Sequence, residues 1–374
     1  MELARRRTCC MCTSNISSLL TISRIPVFAS TVDSPLNMDL FADQEWGECT
    51  SCKTIQLESL VPLDILYGGN HNSEIVGQLW EKHHKKFADF IARHKCQQII
   101  EVGGSHGYLA KLILEENINV DYSVIEPNPG ELYPGKVKII RGFVEDHLDE
   151  LKGKSAIMSH VLEHIYEPNL FLASIAERVH LGDMVFFSTP QIENWLSIGS
   201  ANSLNFEHTY LLDMGQVTEI LDSFGFTLID SDSFDNHSFF HAYKRVSESA
   251  IHESLYDPTS KSILFFDYVK NAEDFSKQIN SRLPQSQGPV FLFGASLFSQ
   301  FLLAWGLNYE HIFGIIDNAK NKFGQRLYGT DLLVMNIDDL RSISNPTVIL
   351  KMGPYQDEIR RQIHEINPSA QIWE

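Results

Sequence analysis

The sequence predicts an α/β protein with two parallel-sheet units, preceded by a small strand-rich module. Three observations predict it. Strand-like and helix-like segments alternate between residues 98 and 190, a second strand–glycine turn–helix–strand run opens at Val290, and two pairs of cysteines spaced Cys-x-x-Cys lie within the first 52 residues. Such alternation means parallel strands with helices on both faces, because each crossover helix must bury its apolar stripe against the sheet.

Residues 1 to 74 read as short strands and turns, punctuated by Pro26, Pro35, Pro62 and Gly68-Gly69. The central domain, residues 75 to 245, opens on a helix in which Ile75, Val76, Leu79, Phe87, Phe90 and Ile91 recur at helical spacing. Residues 98 to 102 form a buried strand, followed by Gly103-Gly104-Ser105-His106-Gly107 and a helix from Tyr108 to Glu116. Further strands are expected at 121–125, 136–140, 156–159 and 184–188, with a helix from about Asn169 to Val179 between the last two. After Tyr243 the alternation stops. The C-terminal domain, residues 246 to 374, starts as polar helical sequence up to Leu283, with a break at Asp257-Pro258-Thr259. Strands at 290–294, 312–317 and 347–350 then make a second Rossmann-like unit, a weak echo of the first.

Composition narrows the class. A length of 374 residues exceeds one comfortable core and implies two or three domains. A formal charge of −18 argues against a nucleic-acid surface, which needs excess Lys and Arg. No run approaches the roughly 18 apolar residues of a membrane helix. Three early arginines and the run Ile16-Ser17-Ser18-Leu19-Leu20 mimic a leader, but the run is short, broken by serines, and preceded by Cys9, Cys10 and Cys12. A cytoplasmic protein without a targeting segment is expected. In that compartment Cys9-x-x-Cys12 and Cys49-x-x-Cys52 read as metal ligands rather than disulfides.

The glycine turn marks a ligand site. Gly103, Gly104 and Gly107 let backbone approach a ligand, and the turn lies at the carboxyl end of a strand, where open α/β sheets bind ligands. Read as an S-adenosylmethionine site, Glu101 holds the ammonium group. Glu126, 25 residues on at the end of the next strand, takes both ribose hydroxyls, since a carboxylate presents acceptors to two adjacent donors. Phe143, after the third strand, borders the adenine or packs in the core. Ser159 and His160, at the end of the fourth strand, sit beside the cofactor. A nicotinamide site is the rival, although Gly-Gly-x-x-Gly suits a pyrophosphate less well than Gly-x-Gly-x-x-Gly.

These residues, in this order, resemble the sugar C-methyltransferases that act on nucleotide-linked deoxysugars. The resemblance spans nearly the whole chain as three modules in order: a zinc-binding N-terminal module, a class I methyltransferase domain and a C-terminal Rossmann-like domain. It implies Zn2+ held by Cys9, Cys12, Cys49 and Cys52, with Cys10 an alternative to Cys9, and S-adenosyl-L-methionine as cofactor. Ser159-His160-Val161-Leu162-Glu163-His164 resembles the family segment that ends in a histidine, and Glu207-His208 matches its Glu-His pair. By that resemblance His208 is the base that deprotonates carbon beside a ketone, with Glu207 and His164 binding or polarising the substrate. Departures fall on the substrate side. Phe206 replaces a histidine, Asn205 a tyrosine, Tyr67-Gly68-Gly69-Asn70-His71-Asn72-Ser73 replaces a tyrosine- and serine-rich segment, and Asn236-His237-Ser238 a Gly-Gly-Ser turn. The expected partner is a small molecule, a nucleotide-linked sugar, bound by a monomer or homodimer. An oxygen acceptor, a non-catalytic relative and an NAD(P)-dependent oxidoreductase remain the alternatives at this point.

Overall fold

A computed structural model describes residues 1–67, 78–130, 132–249, 256–351 and 356–374. Its central element is a sheet of seven strands: β1 (Gln98–Val102), β2 (Asp121–Ile125), β3 (Lys138–Ile140), β4 (Ser155–Ser159), β5 (Met184–Pro190), β6 (Phe226–Phe234) and β7 (Ser238–Arg245). Their spatial order is β3-β2-β1-β4-β5-β7-β6. The first five run parallel, and β7 inserts antiparallel between β5 and β6. This is a Rossmann-like arrangement with an antiparallel hairpin at one edge. The strands β1, β4 and β5 are buried along nearly their whole length because helices cover both faces.

Strand order reverses beside β1, which has β2 on one flank and β4 on the other. The helices after β1 and β4 therefore leave on opposite faces, and a crevice opens at the carboxyl ends of these two strands. The Gly103–Gly107 turn sits at that crevice. The helix Tyr108–Glu116 that follows buries Leu109, Ala110, Ile113 and Leu114.

The β6–β7 hairpin was not legible as strand in the sequence. Along β6 the exposed residues Leu228 and Ile229 sit next to each other, at a register shift between Leu228 and Asp230. That bulge breaks the period-two pattern that would reveal a strand. The expected helix from Ile75 is seen as Gln78–Ala92; Ile75, Val76 and the 68–73 segment lie outside the described residues.

The N-terminal module is an antiparallel sheet of Ile16–Pro26, Phe41–Cys49 and Ile55–Leu57. It does not close a core of its own. Trp46 and Leu57 share one apolar cluster with Leu204, Phe206 and Leu211 of the central domain and with Phe265, Tyr268 and Phe301 beyond it. A module this small buries too little surface to stand alone, so it borrows from its neighbours. It also ties to the C-terminal domain. Thr31–Val32 pairs with Arg326–Leu327, and Arg326 makes a two-pronged contact at 2.6 Å with the buried carboxylate of Asp39.

The C-terminal domain packs the helix Ser262–Arg282 beside a five-stranded parallel sheet. Its order is 334–336, 312–317, 290–293, 347–349, 371–373, with Val290–Phe293 in the centre. The first and last of these strands are short and were not expected. Among the described residues no helix is long and apolar enough to cross a membrane.

Candidate active site

A cavity of about 400 Å³ lies at the carboxyl ends of β1 and β4. That falls within the roughly 300–1,000 Å³ of small-molecule sites. Gly103 and Gly104 form part of its wall. Gly103 has φ +73°, and a Cβ there would stand 2.5 Å from Val161 Cγ2. Gly107 has φ +84° and lies off the cavity wall, where its missing side chain makes room for the Tyr133 ring, 2.5 Å from a built Cβ. Two of the three glycines therefore border the cavity, and the third serves packing.

The acids sit as a cofactor would require. Glu101 lines the cavity yet is only 2% exposed. Burial pushes its carboxyl up to about 7, against a lowering by the Tyr122 hydroxyl, which donates to Glu101 Oε2 at 2.9 Å. Among the described residues no cation pairs with it. A buried acid lacking a counter-charge beside a cavity fits an incoming ammonium group. Glu126 also lines the cavity, held by the backbone N–H of Ser105 at 2.8 Å and of Asn128 at 2.9 Å, one on each oxygen. Each oxygen keeps a second lone pair, enough for two ribose hydroxyls. Phe143 borders the same space and meets the Tyr67 ring edge-on at 6.2 Å. Ser159, the last residue of β4, and His160 close the wall, and the buried Ser159 hydroxyl has no hydrogen-bond partner among the described residues.

The pK of Glu101 yields a pH prediction. An acid whose folded pKa exceeds its unfolded one favours the folded state most below the unfolded value, so stability should fall as pH rises from about 4.5 to about 7. Ligand binding should move the opposite way, because an ammonium group needs the ionised carboxylate. Affinity for S-adenosylhomocysteine should thus rise by up to about tenfold per pH unit between pH 5 and 7. Glu101→Gln should remove most of this slope in calorimetry and raise the melting temperature at pH 8.

The expected substrate residues also come together at this cavity. His164 and Glu207 both line the cavity, with Glu207 Oε2 3.8 Å from His164 Nδ1. Tyr67 closes the group, its hydroxyl 2.8 Å from the same nitrogen. His208 stands one ring behind, edge-on to His164 at 4.9 Å and off the cavity wall. Burial holds its imidazole below the usual histidine range, opposed by the Glu163 carboxylate, and its Nδ1 has no hydrogen-bond partner. Asn205 positions the Glu207–His208 pair: its side-chain oxygen accepts the N–H of Glu207 at 2.8 Å and of His208 at 2.7 Å. Phe206 points into the shared core at 3% exposure. The family histidine replaced there is thus exchanged for a core residue.

Several wall residues carried no sequence signal. Trp80 and His84 come from the helix Gln78–Ala92, whose polar Glu-Lys-His-His run reads as a solvated face. Glu163, off the cavity wall, is 1% exposed, and burial lifts its carboxyl to about 7. It reads in sequence as an ordinary loop acid.

The four sulfurs of Cys9, Cys12, Cys49 and Cys52 converge within 4.8 Å of one another. Cys9–Cys52 and Cys12–Cys49 are 3.5 Å apart, close to the roughly 3.8 Å set by a tetrahedral Zn–S bond of about 2.3 Å. Backbone N–H groups of Met11, Ser51 and Cys52 point at Cys9 or Cys49 sulfur at 3.4 Å, the polarity a thiolate favours. These residues fit zinc. Cys10 is outside the cluster, fully buried, with its thiol pushed up by burial. Cys96 lies far along the chain and packs at the edge of a core cluster.

The C-terminal unit repeats the backbone device around Glu126. Asp317 accepts the N–H of Ala295 at 2.7 Å and of Ala319 at 2.8 Å. Here Lys322 Nζ, 3.4 Å away, neutralises the acid.

No family model matches the chain, and no curated protein matches it. Solved structures do. An O-methyltransferase family protein from Burkholderia thailandensis is 12% identical, over 45% of this chain and 57% of that one, with a TM-score of 0.36. The chain therefore spans little more than half the length of that protein. The methyltransferase domain of bacterial CtHen1-C is 13% identical, over 45% of this chain and 100% of that one, with a TM-score of 0.36. The N-methyltransferase NodS from Bradyrhizobium japonicum WM9 is 10% identical, over 45% of this chain and 97% of that one, with a TM-score of 0.32.

Proposed function

We propose that the chain binds S-adenosyl-L-methionine in this cavity and methylates a small molecule, a nucleotide-linked sugar, while zinc holds the N-terminal module. The observation that carries the reading is the pairing of a buried Glu101 without a counter-charge and a Glu126 aimed at the same space, one on each side of the glycine turn. When bound, the cofactor supplies an electrophilic methyl group on a sulfonium sulfur.

The chain's own residues would do the rest. Glu101 takes the ammonium group, Glu126 the ribose, and Phe143 flanks the adenine. Removal of a proton from carbon beside a ketone needs a neutral base within hydrogen-bond reach, and geometry decides which group qualifies. His164 stands on the wall, whereas His208 must act through it. We therefore place proton acceptance at His164, with Tyr67 and Glu207 fixing its ring and His208 backing it. The enolate carbon would take the methyl group, the C–S bond breaking with its electron pair left on sulfur as S-adenosylhomocysteine, while His164 keeps the proton. The product then leaves with the base to be deprotonated by solvent.

Calorimetry with S-adenosylhomocysteine tests the cofactor half. Binding should weaken about 10- to 100-fold in Glu126→Gln, which forfeits charge-assisted bonds to two hydroxyls, about 1.4–3 kcal/mol in sum. No binding by the unaltered protein at millimolar ligand would sink the proposal. Incubation with a nucleotide-sugar panel and labelled S-adenosylmethionine, followed by product NMR, tests the acceptor and separates carbon from oxygen methylation.

A further inference from the structure

We propose that His83, His160 and His237 form a second metal site, one for a divalent transition ion that prefers imidazole, apart from the four-cysteine cluster. Imidazole ligands suit zinc, nickel, copper and iron. The three residues come from unrelated places: His83 from the helix Gln78–Ala92, His160 from the loop after β4, and His237 from the β6–β7 turn. Their ring nitrogens nevertheless lie within 4.8 Å of one another.

The ring geometry is the stronger argument. Three imidazoles radiating from one ion at about 2.0–2.1 Å in a tetrahedral array place their centroids about 5 Å apart. Here the separations are 5.3 Å for His83–His160, 5.6 Å for His83–His237 and 5.5 Å for His160–His237. All three pairs agree. A triangle this regular, with one ring nitrogen of each residue within 4.8 Å of the others, is what three ligands of one ion present.

Hydrogen bonding supplies a second line. His160 Nε2 and His237 Nδ1 converge on Ser238 Oγ at 2.8 and 2.6 Å, and His83 Nε2 meets Ser188 Oγ at 2.7 Å. Ser238 donates its one proton to one imidazole and accepts an N–H from the other, so at least one of these nitrogens presents a lone pair to the cluster. The remaining nitrogen of His160, Nδ1, faces Glu163 Oε1 at 3.1 Å. A carboxylate behind a histidine is the usual way a metal-bound ring is oriented. Among the described residues neither Glu163 oxygen makes an aligned hydrogen bond, and the buried His83 Nδ1 has no hydrogen-bond partner. Trp80 packs edge-on against His83, His160 and His237 at 4.8 to 5.1 Å, which walls the cluster from water. His160 belongs both to this cluster and to the cavity wall, so an ion here would stand beside the proposed cofactor pocket.

The test uses the full-length protein, extracted with a mild chelator that leaves the cysteine cluster filled with zinc, and titrated with Co2+. One further equivalent should bind, with visible d–d absorption and no thiolate charge-transfer band in the near ultraviolet. In His237→Ala the affinity for that equivalent should fall by at least about tenfold, with cysteine-bound zinc retained as the sign of a folded chain. Absence of a further Co2+ equivalent in the unaltered protein overturns the proposal and leaves a hydrogen-bonded aromatic cluster. Undiminished binding by His237→Ala overturns it equally. If that variant does not fold, the unaltered protein's titration and spectrum decide alone. None of these readouts depends on methyl transfer.

Discussion

His164→Ala should lower methyl-transfer turnover by about 10²–10⁴-fold, the usual worth of a positioned base, while S-adenosylhomocysteine affinity stays nearly unchanged. The two effects separate because His164 bonds to neither Glu101 nor Glu126, the two acids proposed to hold the cofactor. Its ring nitrogen is held at 2.8 Å from the Tyr67 hydroxyl and 3.8 Å from Glu207, so removing the ring also frees those partners. His208→Ala should cost less, since His208 touches His164 ring to ring and does not border the cavity. Single-turnover rates for both variants, with the nucleotide sugar found to accept a methyl group, give the comparison. A larger loss at His208 than at His164 would return the base to the position that the family resemblance implies.

Cys49→Ala should lower the melting temperature by about 10 °C or more and release zinc, because a structural zinc site contributes folding free energy outright. Cys49 is fully buried and packs in the same cluster as Tyr210 of the central domain. Damage should therefore travel. The strand Ile55–Leu57 that follows the second cysteine pair bonds directly to the segment carrying the proposed substrate residues: Leu57 N–H to Thr209 O at 2.8 Å, and Leu211 N–H to Ile55 O at 2.8 Å. Loosening that strand loosens Glu207 and His208. Turnover should fall with zinc content, whereas Cys96→Ala, outside the cluster, should keep both. Calorimetric melting with elemental analysis on the two variants checks this. A Cys49→Ala protein that melts unchanged would mean that the shared apolar core, not the metal, holds the module.

The part of the cavity wall made by the glycine turn and the two acids was readable because it is local. A strand, a glycine turn and an acid at the next strand end are contiguous features, and the backbone geometry they need is written in residue type. Gly103 at φ +73° admits almost nothing else. Glu126 could be placed because parallel strands repeat at a regular spacing. The four cysteines paired by their own spacing. The antiparallel hairpin was missed because a bulge spoils its alternation, and the shared core of the N-terminal module was missed because Phe206, Phe265 and Trp46 are distant in sequence.

The sequence alone determined the strand order's raw material, the turn that opens the crevice, the two acids and the cysteine set, all of which follow from short-range periodicity and backbone sterics. Only the tertiary structure decided which histidines line the cavity, that Gly107 packs against Tyr133 off the cavity wall, and that His83, His160 and His237 come together. Those are distances between side chains from separate elements. Chain order does not encode them, because they arise when the sheet and its helices bury their apolar faces together.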